Sequence, residues 1–207
     1  VAGIDVDQTA IDMAKRYKEI KGISDDELFV DTGSIFDLPF KDNTFDFIIM
    51  KDVGEHLESK DNLVLAMKEL KRVLNKNGHI FIETPNYIFP MEVHLKIPML
   101  PYIATKNSTK LIAKLFSKNP DFVNHLNFTT PKMFESIFKR LDLSFKNAYE
   151  EYKLPFIISN AEKLSGRFQF VGVFIQVFNK MGLGGVLIWL FKLSKMYPSL
   201  WYIVIKR

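Results

Sequence analysis

The sequence predicts an α/β protein built on a mostly parallel, doubly wound sheet. Three observations carry this. Short apolar runs alternate with segments of helical spacing, the central runs are continuous as in strands covered on both faces, and the segments between them are long enough for right-handed crossovers. At 207 residues, 47% of them hydrophobic, the chain holds enough material for one such domain with a substantial core.

Residues 1–6 read as a short buried strand, and Asp7 caps a helix whose apolar face carries Ala10, Met13, Ala14 and Tyr17 and which closes near Gly22. A second strand at 28–32 runs into GSIFDLPFKDN, a loop by its Gly, Pro and Asn. TFDFIIM is a third strand, covered on both faces. Leu63, Ala66, Met67, Leu70, Val73 and Leu74 mark a helix stopped by NKNG at Gly78, and HIFIE is the next strand. TPNYIFPMEVHLKIPMLP holds four prolines and is read as a loop or cover. Helices follow around 108–116 and from Thr130, where Pro131 suits the first helical position, and LDLSFKNAY and LWYIVIKR are strands.

With no cysteine, disulfides and thiolate catalysis are excluded, and zinc would need histidine and carboxylate ligands. The four histidines, His56, His79, His94 and His125, stand far apart without metal-ligand spacing, and no metal site is assigned. A formal charge of +4, scattered along the chain, gives no nucleic-acid signature. Absence of cysteine and of a charged leader suits a cytoplasmic protein.

GIDVD, the loop GSIFDLPF followed by FDFIIMKDVGEHL, the helix end LKRVLNKNGHIFI and the tripeptide TPN together resemble the class I S-adenosylmethionine-dependent methyltransferases. The likeness is to the branch of ubiquinone-pathway O-methyltransferases and sugar or glycolipid methyltransferases. It covers roughly residues 1–90, and HLNFTTPKMFESIFKRL resembles a later segment of that branch. The resemblance implies a Rossmann-like fold with helices on both faces of the sheet and S-adenosylmethionine as cofactor. It also implies a strand and a glycine-rich loop that this sequence does not contain. The chain is therefore read as N-terminally truncated, with the missing strand central, between residues 1–6 and 44–50. Without it two strands lose a row of hydrogen bonds, about 1 kcal/mol each, and low stability is expected.

Carried over by this resemblance, Asp5 binds the ribose hydroxyls and Val6 packs on the adenine. Ser34 stands where the family often has an acidic reader of the adenine amino group, and Ile35 and Phe36 flank the ring. Lys51 and Asp52 line the sulfonium side. Capping is the competing role for an Asp at a strand end, with Asp7 the purer cap, and core packing competes at Phe36. Methyl transfer to oxygen needs alignment and a base. His56 after the fourth family strand, and His94 and His125 in the cover, are the candidate bases, each weighed against a purely structural role, with Glu92 placed to orient His94.

The implied arrangement is one domain: 1–90 for cofactor, 91–130 as substrate cover, 131–153 and 198–207 completing the sheet, and 154–197 as an apolar helical cap before the last strand. Gln176, Asn179 and Lys180 interrupt that apolar stretch and MGLGG breaks it, so a hairpin covering the site, or dipping into the inner membrane face through 168–193, fits better than a span. The acceptor is then a small molecule, a sugar or a lipid-linked compound. Two other readings stand beside this one. A nicotinamide-dependent short-chain reductase or epimerase would use an Asp after the second strand and the Tyr149–Lys153 spacing, and a non-catalytic scaffold would keep the fold without the chemistry.

Overall fold

A computed structural model describes residues 1–163 and 169–207; the part of the predicted cap that falls on 164–168 lies outside the described residues. β1 (Ala2–Asp5) leads into α1 (Gln8–Lys21), and β2 (Phe29–Thr32) returns parallel to β1. Asp7 is the helix cap, its side chain accepting from the Thr9 N–H at 2.8 Å, and Gly22 ends α1 in the left-handed region at φ 64°.

β3 (Phe45–Lys51) is followed by a single turn, Gly54–His56, and by α2 (Lys60–Val73), capped by Ser59. α2 buries Leu63, Ala66, Met67, Leu70 and Val73, the face its spacing predicts. It stops at Val73 rather than running on to Gly78, because Leu74 turns extended and opens β4 (Leu74–Pro85). The proline-rich cover is not only loop: β5 (Met91–Glu92) and β6 (Ile97–Pro98) pair as a small hairpin within it.

α3 (Lys106–Leu115), α4 (Pro131–Arg140), β7 (Leu143–Asn147), α5 (Leu154–Ser159), α6 (Gln169–Lys180), α7 (Gly184–Ser194) and β8 (Ser199–Lys206) complete the chain. Thr130 caps α4 with Pro131 in its first turn. The main sheet has the order β3-β4-β8-β7, with β3 parallel to β4 and β8 antiparallel to both β4 and β7. β1 and β2 form a separate pair, so among the described residues β1 and β3 each keep one edge free of strand partners.

That division corrects one expectation. The apolar strand at 44–50 is covered on one face only: Met50 is buried, whereas Phe47 and Ile49, pointing the other way, are 57% and 63% exposed. The core forms on the covered face, where Met50, Leu63, Met67, Ile80, Ile82 and Val204 meet Phe134, Phe138 and Tyr202. The Phe138 and Tyr202 rings meet edge to face at 5.2 Å.

Arg72 ties the loop 38–42 to α2. Its guanidinium grips Glu69 at 2.6 and 2.9 Å and donates to the carbonyls of Leu38 and Phe40, while Glu69 Oε1 also accepts the Leu38 N–H at 2.8 Å. The Arg72 hydrogen bond, stronger here than the cost of burial, holds the Glu69 carboxyl below its ordinary value. A lowered carboxylate stabilises the fold above its unfolded-state value and loses that contribution as pH falls through the lowered one. Thermal unfolding from neutral pH to below about pH 4.3, the ordinary glutamate value, is therefore expected to show the wild-type chain more stable than Glu69→Gln at neutral pH. The difference should shrink on acidification.

Candidate functional site

Gly54, Glu55 and His56 form the turn that leaves β3, and its backbone is clamped from downstream. Asn127 N–H donates to the Glu55 carbonyl at 2.6 Å, and the Asn127 side-chain amide reaches the carbonyls of Gly54 and Ser59 at 3.3 Å each. Thr129 Oγ1 donates to the Pro85 carbonyl at 2.6 Å, so HLNFTTP locks the exits of β3 and β4 together. A Cβ on Gly54 would lie 3.2 Å from Phe134, which explains the small residue at this close approach.

The clamp turns Glu55 inward and leaves His56 at the rim. Glu55 is fully buried; Thr84 Oγ1 donates to its Oε2 at 2.6 Å, and its Oε1 has no hydrogen-bond partner among the described residues. Burial pushes this carboxyl above its ordinary value, with the Thr84 hydrogen bond acting the other way. His56 Nε2 lies 3.9 Å from Glu55 Oε1, and the His56 side chain is 45% exposed.

The hairpin β5–β6 brings His94 to the same place. The His56 and His94 rings meet edge to face at 5.3 Å. Behind His94 stands Glu92, buried, with Oε1 2.7 Å from His94 Nδ1 and Oε2 accepting the Leu95 N–H at 2.5 Å. The Glu92 hydrogen bond raises the His94 imidazole above its ordinary value. Tyr87, stacked on Phe128 at 4.7 Å, floors the cluster and sends its hydroxyl toward Glu92 at 3.4 Å.

The other expected residues fall into two groups. Asp5 is exposed at the carboxyl end of β1; its Oδ1 accepts the Asp7 N–H at 2.9 Å, which orients the carboxylate and leaves Oδ2 open. Val6 beside it is 78% exposed. Ser34 and Ile35 are half-buried in the turn after β2, Ser34 Oγ accepting the Phe36 N–H at 3.2 Å, and Phe36 is 43% exposed. Lys51 pairs with Glu83 at 3.6 Å, and Asp52, at φ 52°, donates its N–H to the Glu83 carbonyl.

The structure does not bring His125 to the cluster: its side chain is 70% exposed and pairs with exposed Glu58 at 3.5 Å. His79 lies exposed along β4. Tyr149 and Lys153 share a turn after β7, but Tyr149 is stacked on Tyr197 at 4.8 Å with its phenol pushed up to about 12 by burial, and Lys153 lies over the Trp201 ring at 5.1 Å. Both side chains are occupied in packing. Asn86 of TPN is a brace, donating to the carbonyls of Lys195 and Tyr197 at 2.7 and 2.8 Å.

Reading the sequence missed Glu55 as a site residue and gave Glu92 only a supporting part. The signal for the first was the carboxylate directly preceding a histidine after a buried strand. The proximity of His56 and His94 had no local signal, since it depends on the hairpin.

Residues 1–82 match the family model described as a methyltransferase domain. The demethylmenaquinone methyltransferase of Staphylococcus aureus is 25% identical over 131 residues, 63% of this chain and 49% of that protein. An uncharacterized protein of Methanocaldococcus jannaschii is 38% identical over 53 residues, 26% of this chain and 22% of the relative. The chain thus spans half the length or less of these curated relatives. Among solved structures, the YcgJ protein of Bacillus subtilis superimposes with a TM-score of 0.55 at 15% identity, covering 100% of this chain and 82% of that one. Geranyl diphosphate C-methyltransferase of Streptomyces coelicolor, in complex with Mg2+, geranyl diphosphate and S-adenosylhomocysteine, gives 0.52 at 14% identity, covering 100% and 63%. The fold is the Rossmann-like α/β fold of class I methyltransferases.

Proposed function

We propose that the chain belongs to an S-adenosylmethionine-dependent methyltransferase acting on oxygen. The observation that carries this is the placement of two kinds of group at strand carboxyl ends, where ligands bind in open α/β sheets. Asp5 offers an oriented carboxylate with one open oxygen after β1, and an imidazole–carboxylate cluster follows β3 and β4.

These residues fit a nucleoside cofactor. Asp5 Oδ2 is free to accept from a ribose hydroxyl, and the exposed side chains of Val6 and Phe36 offer apolar cover for a purine. When bound, S-adenosylmethionine supplies an electrophilic methyl group on a positively charged sulfur. The chain's own residues hold the acceptor in line with that methyl and take up the hydroxyl proton at the cluster of Glu55, His56, Glu92 and His94. A proton-accepting cluster of this kind suits a hydroxyl acceptor, which must lose a proton to end as an ether, and does not suit a sulfonium-forming one, which loses none. In the same reading the free edges of β1 and β3 receive one further parallel strand, and the glycine-rich loop after it completes the cofactor site.

Calorimetric titration with S-adenosylhomocysteine of the protein carrying such a strand and loop ahead of Val1 tests the reading. Binding at one site per chain is expected. No heat of binding would remove the enzyme and leave the scaffold.

A lipid-linked acceptor is supported by the C-terminal hairpin. Among the described residues no helix is long and apolar enough to cross a membrane. α6 and α7 turn at Gly182, φ 73°, and pack inward through Ile175 and Leu187, yet Phe174, Met181, Trp189 and Leu193 remain 53%, 64%, 59% and 67% exposed. An outward apolar face of this kind suits the headgroup boundary, and the Staphylococcus aureus relative is named for demethylmenaquinone. Co-sedimentation with anionic vesicles is expected, and Trp189→Glu with Leu193→Glu should abolish it; retention of both variants' binding would reject the contact.

A further inference from the structure

We infer that Glu55, His56 and His94 form a binding site for one divalent transition-metal cation of the zinc and cobalt class. The three residues each offer a ligand atom, and these atoms lie within 4.8 Å of one another. Glu55 gives the strongest reason. A fully buried carboxylate whose Oε1 accepts no hydrogen bond is costly to keep, and here that oxygen lies beside an imidazole rather than an ammonium or guanidinium. A cation between the groups removes that cost.

The surroundings are those of a ligand set rather than of a salt bridge. Glu92 takes His94 Nδ1 at 2.7 Å and is itself held by the Leu95 N–H, which fixes the ring and leaves Nε2 as its free nitrogen. Carboxylates behind metal-bound histidines do this: they set the tautomer and raise ligand basicity. Thr84 does the same for Glu55 by fixing Oε2 at 2.6 Å. The two imidazoles meet edge to face at 5.3 Å rather than stacking, and one nitrogen of each lies within 4.8 Å of the other and of a Glu55 oxygen. Ligand atoms around a zinc-sized cation stand about 3.3 Å apart; the set, spread by up to 4.8 Å, needs a contraction of up to about 1.5 Å, to which the half-exposed His56 ring contributes by rotation.

Two imidazoles and one carboxylate select a borderline first-row cation over calcium or magnesium, which prefer oxygen cages. Three protein ligands leave a coordination position open, the pattern of a catalytic rather than a structural site. Resting on the acceptor site proposed above, that position takes the acceptor oxygen. The cation then makes the hydroxyl acidic, and its proton passes to solvent, in place of transfer to a free imidazole. Cation binding itself requires neither acceptor nor cofactor, so its failure and the failure of the methyl-transfer reading are separable.

The test is titration of chelator-treated protein with Zn2+ by calorimetry and with Co2+ by visible absorption. One Zn2+ per chain, displacing Co2+ from a site with nitrogen and oxygen ligands, is expected. Glu55→Gln and His94→Ala should weaken binding at least about 100-fold, and Glu92→Gln about 10- to 100-fold, the range for removing a group behind a ligand. His79→Ala should change nothing. Added Zn2+ should raise the melting temperature of the wild-type chain but not that of Glu55→Gln. Because Gln keeps the shape and the Thr84 hydrogen bond, this variant should fold, and His56→Ala at the rim gives a second arm that does not touch the core. Equal binding by all variants, or no binding by the wild type, overturns the inference.

Discussion

Asp5→Ala is expected to weaken S-adenosylhomocysteine binding by about 10-fold, the loss of one hydrogen bond from a hydroxyl to a charged acceptor at roughly 1.5 kcal/mol. The structure allows a control for the local role of the same side chain. Asp5 Oδ1 accepts the Asp7 N–H, so Ala removes a turn contact as well as the ligand contact. Asn keeps an acceptor oxygen for Asp7 but loses the charge, and its affinity should fall between wild type and Ala. Since Asp5 is exposed, neither change should alter the thermal midpoint by more than a surface substitution does. Calorimetry on the three proteins reads the result, and an affinity change below threefold for Ala would reduce Asp5 to a turn residue.

The largest loss of stability should come from Phe134→Ala, about 3 to 5 kcal/mol by denaturant unfolding. Phe134 is fully buried and its ring lies 5.7 Å from Phe138 and 5.9 Å from Tyr202, joining α4 to the sheet. The same ring closes over Gly54, so the vacancy opens directly beneath the turn that carries Glu55 and His56. Phe134→Leu, which retains much of the volume, should recover most of the loss. A cost below about 1 kcal/mol for Ala would mean that the core rearranges around the vacancy and that α4 is not the support of the site.

Sheet and helices were legible because periodicity is a local property. Asp7 caps the helix its position announced, and α4 begins just after Thr130 with Pro131 in its first turn, as read. Where the reading erred, a partner outside the segment decides. The strand containing Phe47 and Ile49 has the composition of a two-sided strand, yet exposure on one face follows from what packs there. The Gly78 stop was overtaken by Leu74 pairing opposite Phe45 on β3.

The candidate site was legible in part for the same reason. Asp5, Val6, His56 and His94 stand where the motifs pointed, at strand ends or in the cover. Their grouping was not legible: Glu55, His56, Glu92 and His94 meet through a hairpin of two-residue strands that no alternation could announce. His125 had as good a local context as His94 and is left outside by the turn Pro120–His125, which faces it to solvent beside Glu58.

The Asn127 clamp places an order on assembly. Its amide bridges to Gly54 across 73 positions of chain, so the loop it closes is long and is among the later contacts to form. During synthesis the Glu55 turn emerges well before the residue that fastens it. The turn that carries Glu55 and His56 is therefore expected to reach its final geometry late in folding, once the segment before α4 has docked.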